Sequence, residues 1–160
     1  MTTAANHAGL RTGCAPGRLV ARPDSRPPAL AKRLHAAIVL PAYIEHMLAG
    51  RKTVEARLAS SRRVPFGRVS EGDAIYFRAT GSVAFTARAV VVRVAMFEDL
   101  TPRLVSALRR EHNQAIVGSP AFWLAKRHAR FATLIWLADV RLAGRTPPLP
   151  EPGRSAWAIA

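Results

Sequence analysis

Residues 50–57 hold four charged side chains, next to apolar residues that favour burial: Arg51, Lys52, Glu55 and Arg57. A lysine ammonium can bind a phosphate as a point charge, and an arginine can grip one with two parallel hydrogen bonds. A carboxylate beside them can accept hydrogen bonds from the exocyclic amine of a nucleobase. We therefore predict that this stretch forms the floor of a cationic cleft that binds RNA or a nucleotide.

The same residues also have a purely structural interpretation, in which Glu55 and Arg57 form an ion pair that fixes strand register at a barrel rim. The cleft interpretation carries a geometric condition. On an ideal strand Lys52 and Glu55 point to opposite faces, because side chains alternate. They share one cleft only if Lys52 lies in a turn or if a bulge intervenes.

A second group of candidates follows about sixty residues later. Trp123, with Lys126 and Arg130 nearby, could stack on a base of single-stranded RNA while the cations contact phosphates. The alternative is that Trp123 anchors the core and the cations form a solvated face. Glu111 is a candidate general base if burial shifts its pKa.

Composition favours an anionic partner. The chain has 160 residues, a formal net charge of +14 and a pI near 11.7, and 21 of its 24 basic residues are arginine. A high-GC genome would account for the arginine-to-lysine ratio, but it would not account for the shortage of acids. These values favour an anionic partner such as nucleic acid or another phosphorylated ligand.

Several other classes of site are not predicted. The single Cys14 precludes an internal disulfide or a multi-cysteine metal site within the chain, and the histidine spacing predicts no metal ligands. We predict no cofactor. No apolar run approaches the roughly 20 residues that a membrane span needs. A reducing, cytoplasmic location is compatible with these features.

The chain divides into an arm and one domain. Residues 1–34 mix Gly, Pro, Ala and Arg without period, which predicts a disordered basic arm. The arm either adds phosphate contacts or is an upstream extension without function. Residues 35–160 are predicted to form the folded domain.

Alternating and continuous apolar patterns predict six strands in that domain, over 35–40, 52–59, 74–79, 83–94, 131–142 and 155–160. Proline-containing starts predict helices from Pro41 to Gly50, from Thr101 to about Asn113, and over 120–129. Short strands with helices in the connections indicate an α+β fold, a small mixed β-barrel.

The central stretch, Gly50-x-Lys52-x-x-Glu55-x-Arg57, resembles the G-x-K-x-x-E-x-R signature of ASCH domains, part of the PUA-like superfamily. The setting is similar as well, with a strand and short helix before the motif and Gly72-Asp73 leading into an aromatic strand after it. The resemblance covers roughly residues 36–142. It implies a pseudo-barrel with a cleft beside the motif, in a superfamily whose relatives commonly bind RNA or modified nucleosides.

The resemblance also implies an enzymatic alternative, since some ASCH proteins are amidohydrolases on acylated cytidine and others are ribonucleases. In the amidohydrolase type the motif lysine works with a threonine three residues later and a distant glutamate. Lys52 matches the lysine and Glu111 approximately matches the glutamate, but Glu55 occupies the threonine position. A carboxylate cannot replace a hydroxyl nucleophile in acyl transfer without changing the chemistry.

Three hypotheses follow. The first is an RNA- or modified-nucleotide-binding module. The second is an enzyme in which Lys52 and a carboxylate, Glu55 or Glu111, converge in one pocket. The third is a module in which the arm and the helical insertion contact an unknown protein partner.

Overall fold

A computed structural model describes residues 32–160 in full and, further upstream, only the backbone of Arg18 and Leu19. The predicted disordered arm therefore lies almost entirely outside the described residues. In chain order the described elements are β1 (Arg18–Leu19), β2 (Leu34–Val39), α1 (Pro41–Leu48), β3 (Val54–Ala59), β4 (Ala74–Ala79), β5 (Phe85–Glu98), α2 (Pro102–Ile116), α3 (Pro120–Lys126), β6 (Phe131–Leu142) and β7 (Trp157–Ile159).

The strands form one curled sheet in the order β3-β6-β5-β4-β2-β7, with β1 paired to the far end of β5. The β2–β4 pair is parallel, and the other pairs are antiparallel. Register shifts interrupt the β4–β5 and β5–β6 ladders. Such bulges increase local twist and bend a sheet. The resulting barrel stays open between its two ends, where β3 faces β2 and β7.

Each helix begins with a proline whose missing N–H costs nothing there, because that N–H would have no helical partner. The hydroxyls of Thr101 and Ser119 cap α2 and α3, as predicted, by accepting from Leu104 N and Phe122 N. Gly50 follows α1 with φ of +75°, a conformation in which a side chain would be strained.

Two apolar clusters hold the sheet from opposite sides. The inner cluster fills the barrel under α1 and includes Met47, Ile75, Phe77, Ile135 and Trp157. The outer cluster packs α2 and α3 against β3 and β6 and includes Val54, Leu58, Leu108, Ile116 and Trp123. Strand β3 therefore buries one face under the helices and turns the other face toward the barrel opening.

The predicted architecture is confirmed, and most boundaries move by a few residues. The predicted strands 74–79 and 131–142 coincide with β4 and β6. Helix α2 runs on to Ile116, and α3 ends at Lys126 rather than near residue 129. The second predicted strand begins at Val54 rather than at residue 52, which leaves Lys52 in the turn.

Several residues of the predicted arm pair with the folded domain. Leu34 is already the first residue of β2, and the backbone N–H of Arg33 donates to the Asp73 carboxylate over 3.0 Å. Further upstream within the predicted arm, the backbones of Arg18 and Leu19 pair with Glu98 and Phe97 of β5. In the part of the chain that is described, no helix is long and apolar enough to cross a membrane.

Candidate functional site

A cleft of about 640 Å³ lies in the seam where β3 faces β2. Its floor includes Glu55 and Arg57 of β3. The segment that leads into β7 contributes residues 154–156, and the start of α3 contributes another wall. The remaining walls are largely apolar and aromatic: Leu40, Tyr43, Val64, Phe66, Phe122 and Phe131. This volume is in the range of small-molecule sites.

Two cations of the central stretch, Lys52 and Arg57, contact the carboxylate of Glu55. Glu55 Oε1 accepts from Arg57 Nε over 2.8 Å, and Lys52 Nζ lies 3.3 Å from Glu55 Oε2. The condition set by strand alternation is met because Lys52 lies in the turn before β3. Val54 and Ala56 pack in the outer cluster, so Glu55 and Arg57 share the opposite face, as predicted.

Lys52 lies beneath the floor of the cleft rather than on its surface. The residue is 1% exposed, and Nζ also donates to the main-chain oxygens of Val54 and Ile116, over 2.9 and 2.8 Å. With Glu55 these make three acceptors, which matches the three protons of an ammonium group. Burial lowers the pKa of Lys52, while the charge of Glu55 acts in the opposite direction. The structure thus gives Lys52 the role of holding Glu55 in place.

Arg57 connects β3 to β2 across the opening of the barrel. Its Nη2 donates to the main-chain oxygen of Ile38 on β2 over 2.9 Å, while its Nε holds Glu55. The guanidinium carbon lies 5.1 Å from the centroid of the Trp157 ring. The side chain keeps 20% of its surface exposed, so a ligand in the cleft can still reach it.

A buried polar chain stands behind Trp157. The indole Nε1–H donates to His35 Nδ1 over 3.1 Å, and His35 Nε2 lies 2.9 Å from Asp73 Oδ2. These partners require the tautomer of His35 with the proton on Nε2. Burial lowers the pKa of His35, although the Asp73 carboxylate acts against that effect. A neutral histidine therefore positions Trp157, which in turn packs on Arg57.

Tyr43 stands at the cleft wall with its ring 4.6 Å from Lys52 Nζ. Burial raises the pKa of Tyr43, as does the nearby negative charge of Glu55, while a backbone hydrogen bond from Ser119 acts in the opposite direction. The phenol therefore stays protonated at neutral pH and presents a polar edge beside an apolar wall.

Further cations border the same cleft: Arg63, Lys126 and Arg154. Lys126 was predicted as a ligand-binding residue, and the structure brings it to the cleft. Burial lowers the pKa of Lys126, and the charges of Arg57 and Arg63 lower it further. Neither Lys126 nor Arg63 forms an ion pair with a carboxylate of residues 32–160.

Other candidates lie away from the cleft. Glu111 is 72% exposed on α2, and Arg130 is 60% exposed near Asp99, so neither lines the cleft. Arg51 is exposed, and its Nε donates to His46 Nδ1 over 3.0 Å. The enzyme hypothesis requires Lys52 and a carboxylate to lie together in one pocket. Glu55 meets this requirement and Glu111 does not.

The position of Trp123 does not fit the predicted role of a stacking platform for a base. It is 3% exposed in the outer cluster, its Nε1–H donates to Asn113 Oδ1 over 2.8 Å, and its ring packs edge-on against Phe122. A ring without an exposed face cannot stack on a base. The alternative interpretation, a core anchor, is the one that the structure supports.

The sequence interpretation missed several cleft residues. Tyr43 and Arg63 were not among the predicted site residues. Arg154 and the start of α3 come to the cleft by long-range folding, for which the local sequence carries no signal. Among the described residues no group of three or more His, Cys, Asp or Glu side chains is placed to hold a metal ion.

An open, mixed barrel with a charged cleft at its seam defines an α+β fold. Comparison with solved structures specifies it further. The crystal structure of ASCH from Zymomonas mobilis matches with a TM-score of 0.54 and 20% identity, covering 72% of this chain and 82% of that one. A point mutant of the same protein, ZmASCH, matches at 0.55 and 19%, covering 69% and 73%. The chain thus has the ASCH fold, which confirms the resemblance at the level of fold.

Comparisons at the level of sequence, by contrast, find no match. No family model matches the chain, and no curated protein matches it.

Proposed function

We propose that this protein binds single-stranded RNA and holds one unpaired base in the cleft at the seam. The observation that carries the proposal is the position of Glu55. Its carboxylate lies at the floor of a largely apolar hollow, fixed from below by Lys52 and from the side by Arg57.

A nucleobase matches both parts of this environment. Its faces are flat and apolar, and the walls offer Phe66, Phe122 and Phe131. Its edge carries amine and imino donors, and Glu55 provides acceptors, because each carboxylate oxygen can accept more than one hydrogen bond. A base inside a duplex could not reach such a floor, so an unpaired base is the expected ligand.

Electrostatics favour a polyanion over a neutral base alone. The described cations Arg63, Lys126 and Arg154 border the cleft, and the whole chain carries +14. A phosphate backbone that runs along this border releases counterions as the cations neutralise it, and the binding constant then falls with rising salt.

The test is a fluorescence anisotropy titration of labelled single-stranded RNA of mixed sequence, at low salt and then at increasing salt. We expect saturable binding, with a log–log salt slope of about −0.7 for each phosphate neutralised. Ala121 lies exposed on α3 and lines the cleft, so Ala121→Trp should fill the hollow and weaken binding. Ala84→Trp, on the exposed β4–β5 turn, is the matched control.

Two results would remove the proposal. One is the absence of RNA binding at low salt. The other is equal affinity of the Ala121→Trp and Ala84→Trp variants, since RNA would then bind somewhere other than the cleft.

The enzymatic alternative, a nucleoside amidohydrolase or a ribonuclease, has one supporting observation. Lys52 and Glu55 converge within 3.3 Å, which that hypothesis requires. Against it, the Lys52 ammonium already has three acceptors, and the Glu55 carboxylate is bonded to two cations, which weakens it as a nucleophile or base. Incubation with acylated cytidine and with RNA, followed by product analysis, tests this alternative. If the protein turns over either substrate and Glu55→Gln abolishes that turnover, the enzymatic hypothesis would replace the binding hypothesis.

A further inference from the structure

A second hollow of about 280 Å³ adjoins the cleft. The two share four lining residues, Leu58, Ala59, Arg63 and Lys126, and the smaller hollow continues past them to Ser60 and His128. Leu58 and Ala59 belong to the end of β3, and Lys126 is the last residue of α3. The boundary between the hollows is thus formed by one short strand end and two cations.

The two cations at this boundary have no counterion among the residues that the structure describes. Arg63 is exposed, and its Nε bonds only the hydroxyl of Ser61, over 3.2 Å. Glu55, the carboxylate of the cleft, is already bonded to Lys52 and Arg57. Like charges with no carboxylate between them raise the local potential, which an anion would lower.

Lys126 lies within the electrostatic reach of two other cations. Burial lowers the pKa of Lys126 first, and the charges of Arg57 and Arg63 lower it further. A bound anion between Arg63 and Lys126 would relieve this repulsion and raise that pKa.

We propose that Arg63 and Lys126 hold a phosphodiester at the boundary, so that the ligand is at least two linked nucleotides, one in each hollow. This inference rests on the proposed function, since it takes the first base to be bound in the larger cleft. It also specifies the path of the RNA, which runs from the seam along the end of β3 toward His128. It also adds a minimum ligand length.

The experiment compares three probes for each of the four bases: the nucleoside, its 3′-monophosphate, and the dinucleoside monophosphate. Binding is followed with the full-length protein by isothermal titration calorimetry and by amide chemical shifts. We expect the phosphate to tighten binding by roughly tenfold, as for a charge-assisted contact. The second nucleoside should tighten it further and should shift the amides of Ser60 and Ala129, which line the smaller hollow.

The test variant is a double variant that carries both Arg63→Ala and Lys126→Ala. It should abolish the gain from the phosphate, so that the variant binds the nucleoside and its 3′-monophosphate with equal affinity. The double variant Arg109→Ala with Arg110→Ala, at two exposed cations on α2 that line neither hollow, controls for the loss of two positive charges. Arg63 and Lys126 both carry exposed surface, and thermal melts establish that the test variant folds.

The outcomes separate the two proposals. If nucleosides bind and the phosphate and second nucleoside bring no gain, the boundary site is wrong and the base site stands. If the test variant weakens nucleoside and dinucleotide equally, the boundary site is likewise wrong. If neither the nucleosides nor the dinucleotides bind, both proposals fail.

Discussion

Arg57 donates to the main-chain oxygen of Ile38 over 2.9 Å, across the seam at which the barrel is open. The same guanidinium bonds Glu55 at the floor of the cleft and lies over the ring of Trp157. One side chain therefore ties strand β3 to β2 and also shapes the surface that a ligand meets. Closure of the fold and affinity for the ligand should consequently depend on the same residue.

Arg57→Ala should lower both stability and RNA affinity. It leaves the Ile38 oxygen and one side of the Glu55 carboxylate without a partner, which we expect to cost about 1–3 kcal/mol of unfolding free energy. Arg57→Lys should recover only part of this, since one ammonium cannot reproduce the planar fork of a guanidinium. Urea unfolding measures the first effect, and anisotropy on folded protein the second. A fully stable Arg57→Ala variant would show that the seam does not need this bridge.

Lys52→Met should lower the unfolding free energy more than Arg57→Ala does. RNA affinity should fall mainly because less of the variant is folded. The substitution removes the donor for Val54 O and Ile116 O and leaves Glu55 buried with Arg57 as its remaining partner. Breaking a buried pair in this way costs about 3–5 kcal/mol, and the surviving Arg57 contact points to the lower end.

Arg51→Met is the matched control for Lys52, because Arg51 is the preceding residue and is exposed. We expect it to change the unfolding free energy by less than about 0.5 kcal/mol. Equal losses in the two variants, measured by urea unfolding, would contradict the role of Lys52 as a buried support.

The local parts of this structure could be predicted because local chemistry determines them. Strand β6 has a long apolar, β-branched and aromatic sequence, and β4 lies between a Gly-Asp turn and a Thr-Gly turn, so their limits follow from the residues themselves. Alternation along β3 likewise placed Glu55 and Arg57 on one face and Val54 on the other. The helix starts followed from proline and hydroxyl caps.

The rest of the site depends on contacts between distant residues. Lys52 is satisfied by Ile116, which lies 64 residues away, and Trp157 by His35, which lies 122 residues away. A pattern within one strand cannot reveal either pair. For that reason the sequence interpretation placed Lys52 on the cleft surface, missed Tyr43 and Arg63, and offered Trp123 and Glu111 as site residues.

Stability should fall on acidification below about pH 6.5 because of His35. Its pKa is lowered in the folded state, whereas in the unfolded chain it has the ordinary value near 6.5. Below that pH the unfolded state binds more protons than the native state, so unfolding is favoured as pH falls, by at most about 1.4 kcal/mol per pH unit. Above that pH the contribution is fully present.

His35→Gln separates this effect from other titrations. Glutamine can still donate to Asp73 but takes up no proton. The stability difference between the original protein and the variant should therefore shrink between pH 7 and pH 5 in urea unfolding. A constant difference, or imidazole nitrogen shifts showing that His35 protonates at 6.5 or above, would contradict the neutral assignment.

Gly118→Ala should destabilise the connection between α2 and α3. A Cβ there would lie 2.7 Å from Trp123 Nε1 and 2.9 Å from a Phe122 ring carbon, closer than packed atoms allow. We expect a loss of about 1–3 kcal/mol, as for other overpacked sites. Gly153→Ala is the control, since a Cβ there meets nothing within 4 Å. Equal thermal melts for the two variants would show that this corner can relax.

Trp123→Phe tests whether the Trp123 indole anchors the core. The change removes the hydrogen bond to Asn113 Oδ1 and some buried ring surface, so the unfolding free energy should fall by about 1–3 kcal/mol. RNA affinity of the folded variant should not change, because the indole has no exposed face and lines neither hollow. Phenylalanine retains an aromatic ring, so a loss of affinity without a loss of stability would mean that the indole itself contacts RNA. That result would require α3 to rearrange on binding.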